Sequence, residues 1–251
     1  MSGHSKWSKI KRYKEAADAK KGKVYTKLIK ELTIAARIAG GDPDTNPRLR
    51  KAIQDSKVQN MPNDNIERAI KKGTGEIAGG AIEEYNMEGY GPAGVAILVQ
   101  IQSDNRNRTL AEIRHIFEKH GGNLGSSGCV AWMFDNKGFL AFDKTVASED
   151  LLMEIGLDAG ADDVRDKGDQ LEVITTPQAF ENVKKAFDDK KIKYDVAEIS
   201  MIPQTQVLMT KKDAETMLNL VEGLEDNEDV QNVYTNADIP DEVMAAIESA
   251  K

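Results

Sequence analysis

Apolar residues in the first third of the chain recur at helical spacing. A first helix is predicted by a stripe of residues three or four positions apart: Val24, Leu28, Leu32, Ala35 and Ala39. The pair 40–41, two glycines, predicts its end. Asn46 and Pro47 predict the start of a second helix, with Asn as the cap and Pro in the first helical position. The apolar face of this second helix comprises Leu49, Ile53 and Val58.

A third helix is predicted to open at Pro62, with Asn63 as its cap, and to end at Gly73. Its inward positions are Ile66, Ala69 and Ile70. The glycine-rich stretch at 73–80 then has the composition of a flexible linker.

Alternating strand and helix patterns follow the linker. A buried strand at 94–102 precedes a helix that begins near Thr109, with Ser103 or Asp104 as its cap. That helix buries Leu110, Ile113 and Phe117 and stops at the glycines 121–122. A strand at 129–134 completes a β-α-β unit.

A full βαββαβ series is predicted next. Its elements are a strand at 138–142, a helix at 148–159, strands at 163–165 and 171–175, a helix after Pro177 and a strand at 193–201. A second β-α-β half has strands at 206–209 and 230–234 around a helix at 212–224. The two halves together would make another βαββαβ domain.

The predicted fold is therefore α+β, an N-terminal helical domain followed by two ferredoxin-like α/β domains, one inserted in the other. The predicted boundaries are 1–80 for the helical domain, 81–136 with 203–251 for the discontinuous domain, and 137–202 for the inserted domain. A linear order of domains is the alternative. The length of 251 residues suits two or three domains.

Charge is distributed unevenly along the chain. Residues 1–72 contain 18 Lys and Arg against 8 Asp and Glu, a net charge of +10, although the whole chain carries −8. A basic end on an acidic protein favours a polyanionic partner. Solvated lysines that keep a terminus soluble are the alternative interpretation.

Aromatic side chains and a second pair of arginines strengthen the nucleic-acid hypothesis. Trp7 and Tyr13 lie among the lysines and could stack on bases. Arg106 and Arg108 lie in a strand-to-helix loop, where a helix start favours anions; an ordinary capped turn is the competing interpretation. The candidate phosphate contacts of the basic end are Lys6, Lys9, Lys11, Arg12, Lys20, Lys21, Lys23, Lys27 and Lys30.

Catalytic and metal motifs are weak. The glycines of 89–94 match G-x-G-x-x-G, but they precede a predicted strand, so a tight turn is favoured over a nucleotide site. The acids around 158–172 lack the ligand register of a calcium loop, and a solvated hairpin is favoured. We expect no enzyme activity, no cofactor, no metal and no small-molecule substrate. One cysteine, Cys129, excludes an internal disulfide and suits a cytoplasmic location. No long apolar run predicts a membrane span.

Several segments together resemble the YebC/PmpR family across nearly the whole chain. They include GHSKW, DAKKGKVYTKLIKELTIAAR, GGDPDTNPRLR, NMPNDNIERAIKKG, EGYGPAG, SDNRNRT and GGNLG. The resemblance implies three domains, with one α/β domain interrupting the other. It also implies a transcriptional regulator: some members bind promoter DNA, mitochondrial relatives activate translation, and bacterial members are tied to ribosomes stalled on proline-rich sequences. The expected partner is accordingly DNA, or alternatively ribosomal RNA on the ribosome.

Overall fold

The structure is a computed structural model that describes residues 21–168 and 170–249. Its helices are α1 (Lys21–Ala39), α2 (Pro47–Val58), α3 (Asn63–Thr74), α4 (Arg106–Lys119), α5 (Glu149–Asp158), α6 (Phe180–Asp189), α7 (Lys211–Glu225) and α8 (Asp241–Glu248). Its strands are β1 (Glu83–Tyr90), β2 (Ala96–Ser103), β3 (Asn123–Leu124), β4 (Phe134–Asp143), β5 (Ala161–Asp166), β6 (Gln170–Thr175), β7 (Val196–Pro203), β8 (Val207–Leu208), β9 (Val230–Thr235) and β10 (Ala237–Asp238). Single 3-10 turns lie at Pro92–Gly94 and Ala131–Met133.

Helices α1–α3 pack around a small apolar core that includes Leu32, Leu49 and Ile66. The start of α2 is confirmed, since the Asn46 Oδ1 atom accepts a hydrogen bond from the Leu49 backbone at 3.0 Å. The same side chain donates through Nδ2 to the carbonyls of Ala35 and Gly40, each at 2.8 Å. One buried asparagine therefore caps α2 and also donates hydrogen bonds to the turn of chain that ends α1.

Three details of the predicted helices are wrong. Val58 is 75% exposed, because it is the last residue of α2 and lies beyond the reach of the core. Asn63 is the first residue of α3 and makes no capping hydrogen bond, while Pro62 occupies the cap position. The helix also continues past Gly73 to Thr74, and Gly75 ends it at φ +83°. Gly73 serves close packing instead: a Cβ there would lie 2.3 Å from the Thr33 carbonyl oxygen of α1.

The first sheet has the strand order β3-β1-β2-β9 and is antiparallel throughout. Its strand β1 was not predicted, because EEYNMEGY contains three glutamates and an asparagine, and only Tyr85, Met87 and Gly89 face the apolar side. The turn between β1 and β2 is tight, with Gly91 N donating to Val95 O at 2.8 Å. This confirms a turn for the glycine motif.

Helices α4 and α7 cover one face of the first sheet, where their residues share a core with the odd-numbered positions of β2. Helix α4 starts at Arg106, three residues earlier than expected. Its cap is Asn105, which accepts from the Arg108 backbone at 3.1 Å. Ile113 and Phe117 are fully buried, as predicted, while Leu110 lies at the margin.

The predicted strand at 129–134 is wrong. The buried Glu88 carboxylate accepts hydrogen bonds from the backbone of Gly128, Val130 and Ala131 at 2.7–2.8 Å. These bonds hold the segment as a loop and a 3-10 turn, so the N–H groups that a strand partner would need are taken. Burial would raise the pKa of Glu88, but the three donated bonds lower it below its usual range.

The second sheet has the antiparallel order β5-β6-β4-β7, which is the ferredoxin-like arrangement. Helices α5 and α6 cover one face, and Phe142, Phe180 and Phe187 lie in the core between them and the sheet. All six elements of the predicted series are present, although β4 begins at Phe134, four residues earlier than expected.

The predicted strand at 206–209 does not join the first sheet. Only Val207 and Leu208 are extended, and they pair in parallel with β10 in a separate two-stranded ribbon. The place that we assigned to this strand is filled by β1, which pairs with β2 over eight positions.

The α+β class is confirmed, as is a helical part followed by two sheet-bearing parts. Strand β9 comes after the second sheet in sequence and pairs with β2, so one sheet unit is inserted in the other. The boundaries at 80, 136 and 202 stay predictions. Within the described residues, no helix combines the length and apolar character needed to cross a membrane.

Candidate nucleic-acid interface

Exposed cations lie along all three helices of the N-terminal unit. Within the described part of the chain, five of them have no hydrogen-bonding or ionic side-chain partner: Arg50, Lys57, Arg68, Lys71 and Lys72. Arg37 interacts electrostatically with Glu84. Three of the five, Arg68, Lys71 and Lys72, share the exposed end of α3. Such cations are available to a polyanion without breaking a contact within the protein.

The predicted phosphate contacts divide between described and undescribed residues. Lys6, Trp7, Lys9, Lys11, Arg12, Tyr13 and Lys20 lie outside the described residues. Lys21 and Lys23 occupy the first turn of α1, with Lys21 exposed and Lys23 half-buried. Both remain predicted contacts.

Lys27 and Lys30 point from α1 toward the segment that joins α7 to β9. Lys27 Nζ donates to the Glu225 carbonyl at 2.6 Å, and Lys30 Nζ donates to the Glu228 carbonyl at 2.9 Å. Lys30 also forms an ion pair with Asp229. The two lysines therefore attach the helical unit to the first sheet unit, one turn apart on the same helix face.

Asp229 is the centre of this attachment, with only 3% of its side chain exposed. Its Oδ2 atom accepts from Arg108 at 2.8 Å, Thr109 at 2.6 Å and Ser103 at 3.1 Å. Burial would raise the pKa of Asp229, but the hydrogen bonds from Arg108, Lys30 and Thr109 outweigh it and lower the pKa to about 2. The carboxylate is charged at neutral pH and joins α1, the start of α4 and β9.

Arg106 and Arg108 lie in the first turn of α4 and differ in their contacts. The Arg106 guanidinium lies over the Tyr85 ring, 4.5 Å from its centroid. Arg108 donates to Asp104 at 3.1 Å as well as to Asp229. Asp229 brings Lys30 and Arg108 together, although they are distant in sequence, so a phosphate that bound both would replace this carboxylate.

A second polar network crosses the same boundary. Arg48 on α2 donates to Glu31 at 2.7 and 2.8 Å and to Glu84 at 2.7 and 3.0 Å. Gln102 Nε2 donates to Glu31 at 2.6 Å. The bonds to Glu31 and Glu84 raise the pKa of Arg48 against its burial. Sequence reasoning missed this network and Asp229, because partners up to 199 residues apart leave no local pattern.

Three of the described acids near 158–172 have cation partners. Lys137 contacts Asp162 at 2.9 Å, and Lys144 contacts Asp166 at 2.6 Å. Arg165 contacts Asp163 at 2.7 Å. Asp169 lies outside the described residues. Over 21–168 and 170–249, no three His, Cys, Asp or Glu side chains are grouped to hold a metal ion.

Comparisons with known proteins match almost the whole chain to one family. Residues 5–76 match the "TACO1/YebC protein N-terminal domain", and residues 82–237 match the "TACO1/YebC second and third domain". A "Probable transcriptional regulatory protein" of Syntrophobacter fumaroxidans is 61% identical over 98% of this chain and 100% of its own. One of the same description from Syntrophus aciditrophicus is 58% identical over 97% of this chain and 98% of its own.

A solved structure is also similar. The crystal structure of a conserved hypothetical protein from Aquifex aeolicus has a TM-score of 0.77 and 43% sequence identity. The match covers 89% of this chain and 93% of the Aquifex aeolicus chain. The resemblance found in the sequence motifs is confirmed: the chain belongs to the TACO1/YebC family.

Proposed function

We propose that this protein is a non-enzymatic, cytoplasmic regulator of gene expression that binds nucleic acid, with DNA as the target of a transcriptional role. The observation that carries the proposal is the exposed, unpaired cations of α2 and α3 on a protein that is acidic elsewhere. The descriptions of its relatives as transcriptional regulatory proteins support the same role.

Two sets of residues would bind the nucleic acid. The basic end would supply phosphate contacts through Lys6, Lys9, Lys11, Arg12, Lys20, Lys21 and Lys23, and Trp7 and Tyr13 would stack on bases. Arg68, Lys71 and Lys72 would extend this surface along α3. Four further cations would contribute to this surface only after exchanging their present partners for phosphate: Lys27, Lys30, Arg106 and Arg108.

Salt-dependent binding to duplex DNA tests the proposal. Each phosphate contact contributes about −0.9 to the slope of log K against log salt concentration. Replacing Arg68, Lys71 and Lys72 with Gln should make the slope shallower by up to about 2.7, measured by fluorescence anisotropy on the full chain. Neutralising Lys6, Lys9, Lys11 and Arg12 tests the basic end in the same way.

A matched control uses Lys185, Lys190 and Lys193, which are three lysines at or beside α6 in the second sheet unit. Replacing them with Gln changes the net charge equally and should leave the slope unchanged. Equal effects of the α3 and α6 triples would mean that binding follows net charge, and would refute a defined surface.

Ribosomal RNA is the competing target, because the same cations would bind phosphates of either polymer. Sedimentation of the full chain with ribosomes at moderate salt, alongside the DNA titration, separates the two roles. Cofractionation with ribosomes, with no preference among promoter DNAs, would replace the transcriptional role by a translational one.

A further inference from the structure

The second sheet has one face that α5 and α6 cover and a second face on its other side. The two helices share a core with Leu140 and Phe142 of β4. Neighbouring residues of a strand point to opposite faces, so Phe139 and Ala141 of β4 lie on the other side. This second side is called the open face below.

The register of the strands shows which residues share the open face. Residues directly opposite each other on neighbouring strands point to the same face. Glu172 of β6 is opposite Ala141, and Glu198 of β7 is opposite Phe139. The open face therefore has an apolar centre with acids around it, and its main members are Phe139, Ala141, Ile174, Asp143, Glu172 and Glu198.

The centre of the open face is closed to solvent, since Phe139 is 1% and Glu172 is 2% exposed. Helices α5 and α6 do not account for this closure, because they lie on the opposite side of the sheet. The apolar cluster on the open face consists of residues from β4, β6 and β7, and no other element of the described chain contributes to it. The described residues therefore supply no apolar cover for this cluster.

The charge of the open face favours a basic cover. Arg165 and Lys137 also belong to the face by the register, and each bonds to an acid. Arg165 bonds to Asp163 at 2.7 Å, and Lys137 bonds to Asp162 at 2.9 Å. A carboxylate as enclosed as that of Glu172 requires cations or hydrogen-bond donors close to it. A segment with cationic and apolar side chains would satisfy both requirements.

The basic end of the chain is attached beside this face. Helix α1 begins at Lys21, and Lys27 in its second turn lines a cleft of about 940 Å³. Val196, Glu198 and Ser200, which point to the open face, line the same cleft. The residues before α1 can span up to about 65 Å, whereas four strands are only about 14 Å across. They can therefore reach every part of the face.

The composition of residues 1–20 complements the open face. They contain six Lys or Arg against two acids, a net charge of +4. Trp7, Ile10 and Tyr13 supply apolar groups between the cations. Because this segment and the face belong to one chain, their effective concentration is on the order of millimolar. A contact too weak to hold two separate molecules together can therefore form within one chain.

We propose that residues 3–20 bind the open face of the second sheet while the protein carries no nucleic acid. The lysines of the segment contact Asp143, Glu172 and Glu198, and its apolar side chains cover the centre of the face. Phosphates of a nucleic acid compete for the same lysines, so DNA binding releases the segment from the sheet. The competition rests on the proposed function, whereas the intramolecular contact does not.

Carbodiimide cross-linking of the full chain tests the contact in the absence of nucleic acid. The reagent joins a lysine amine to a carboxylate only where the two groups are in contact. We expect mass spectrometry to find links from Lys6, Lys9 or Lys11 to Glu198 or Asp143 within one chain. These links should disappear when the protein is saturated with duplex DNA.

Two exposed ion pairs of the second sheet unit are internal standards for this reaction. They are Lys137 with Asp162 at 2.9 Å and Lys144 with Asp166 at 2.6 Å. If both standards cross-link while residues 1–20 do not link to the open face, the intramolecular contact is overturned. A cross-linked dimer that increases with protein concentration, in place of links within one chain, would assign the face to a second copy and also overturns it.

Competition is tested by the DNA affinity of Glu198→Gln. Loss of one contact to the segment should raise the affinity about threefold, measured by fluorescence anisotropy on the full chain. The matched control is Glu154→Gln, because Glu154 is exposed on α5, on the other side of the same sheet. It changes the net charge equally and should leave the affinity unchanged. In a chain whose first four Lys and Arg residues are replaced by Gln, Glu198→Gln should have no effect.

Two results would overturn the competition. One is an equal gain of DNA affinity in Glu198→Gln and Glu154→Gln, and the other is cross-links that persist when the chain is saturated with DNA. The cross-links are formed without nucleic acid, and the salt slope of DNA binding is measured without cross-linking. Failure of the intramolecular contact and failure of the proposed function are therefore distinguishable.

Discussion

The Asp229 carboxylate should contribute about 2–3 kcal/mol to folding at neutral pH. Its pKa is lowered from 3.8 to about 2 in the folded protein, and each unit corresponds to about 1.4 kcal/mol. Asp229→Asn keeps an oxygen acceptor for Thr109 but removes the charge that pairs with Lys30, whose side chain is 12% exposed. We expect the variant to lose stability by that amount at pH 7, measured by urea unfolding of the full chain.

The pH dependence provides the sharper test. Because the pKa of the folded state is below that of the unfolded state, the contribution is complete above about pH 5 and is lost as pH falls toward 2. The deficit of Asp229→Asn relative to the native chain should therefore fall to about half by pH 3. A deficit that stays constant between pH 7 and pH 3 would show that the charge is not its cause.

Asp226→Asn is the matched control, because Asp226 is exposed and lies three residues away at the end of α7. It should change stability by no more than about 0.5 kcal/mol. If Asp229→Asn were as stable as this control at pH 7, the conclusion that Asp229 holds the helical unit against the first sheet would be refuted.

The other predictions concern contacts elsewhere and nucleic-acid binding. Glu88→Gln should destabilise the folded protein by about 1–3 kcal/mol at pH 7 and by less near pH 3, because the pKa of Glu88 is lowered in the folded state. Thermal unfolding at the two pH values measures this loss of stability. An equal loss at both pH values would contradict the prediction. Gly73→Ala should destabilise by about 1–3 kcal/mol through its clash with the Thr33 carbonyl, whereas Gly79→Ala, with only ordinary contacts, should not. Asp229→Asn should also make the DNA salt slope steeper by up to about 1.8 by releasing Lys30 and Arg108; an unchanged slope in anisotropy would exclude both from the interface.

Local patterns in the sequence were sufficient to predict the structure wherever one short segment determines it. The Asn46 cap, the Ile113 and Phe117 face of α4 and the second sheet all follow from spacing and turn chemistry. Strand β1 could not be found in this way, because its uncovered face is polar and its carboxylate and amide side chains imitate a loop.

Contacts between residues that are far apart in sequence determine the parts of the structure that local patterns did not reveal. The loop at 128–131 follows from Glu88, some 40 residues earlier, and the attachment of the helical unit follows from Asp229. Charge asymmetry predicted a cationic surface, but it could not show that Lys30 and Arg108 share an internal carboxylate. A cation that pairs with a carboxylate in the folded protein is no longer available to bind phosphate, and the sequence does not show this pairing.

The connection between β2 and β9 has a consequence for the order in which the chain folds during synthesis. The Ala96 backbone N–H bonds to the side chain of Asn236, 140 residues later. The second sheet, in contrast, closes within 134–203, so it can form as soon as those residues leave the ribosome. Until α7 and β9 emerge, the β1–β2 hairpin has an incomplete apolar cover, and this half-built sheet is the stage at which a nascent chain would most need a chaperone.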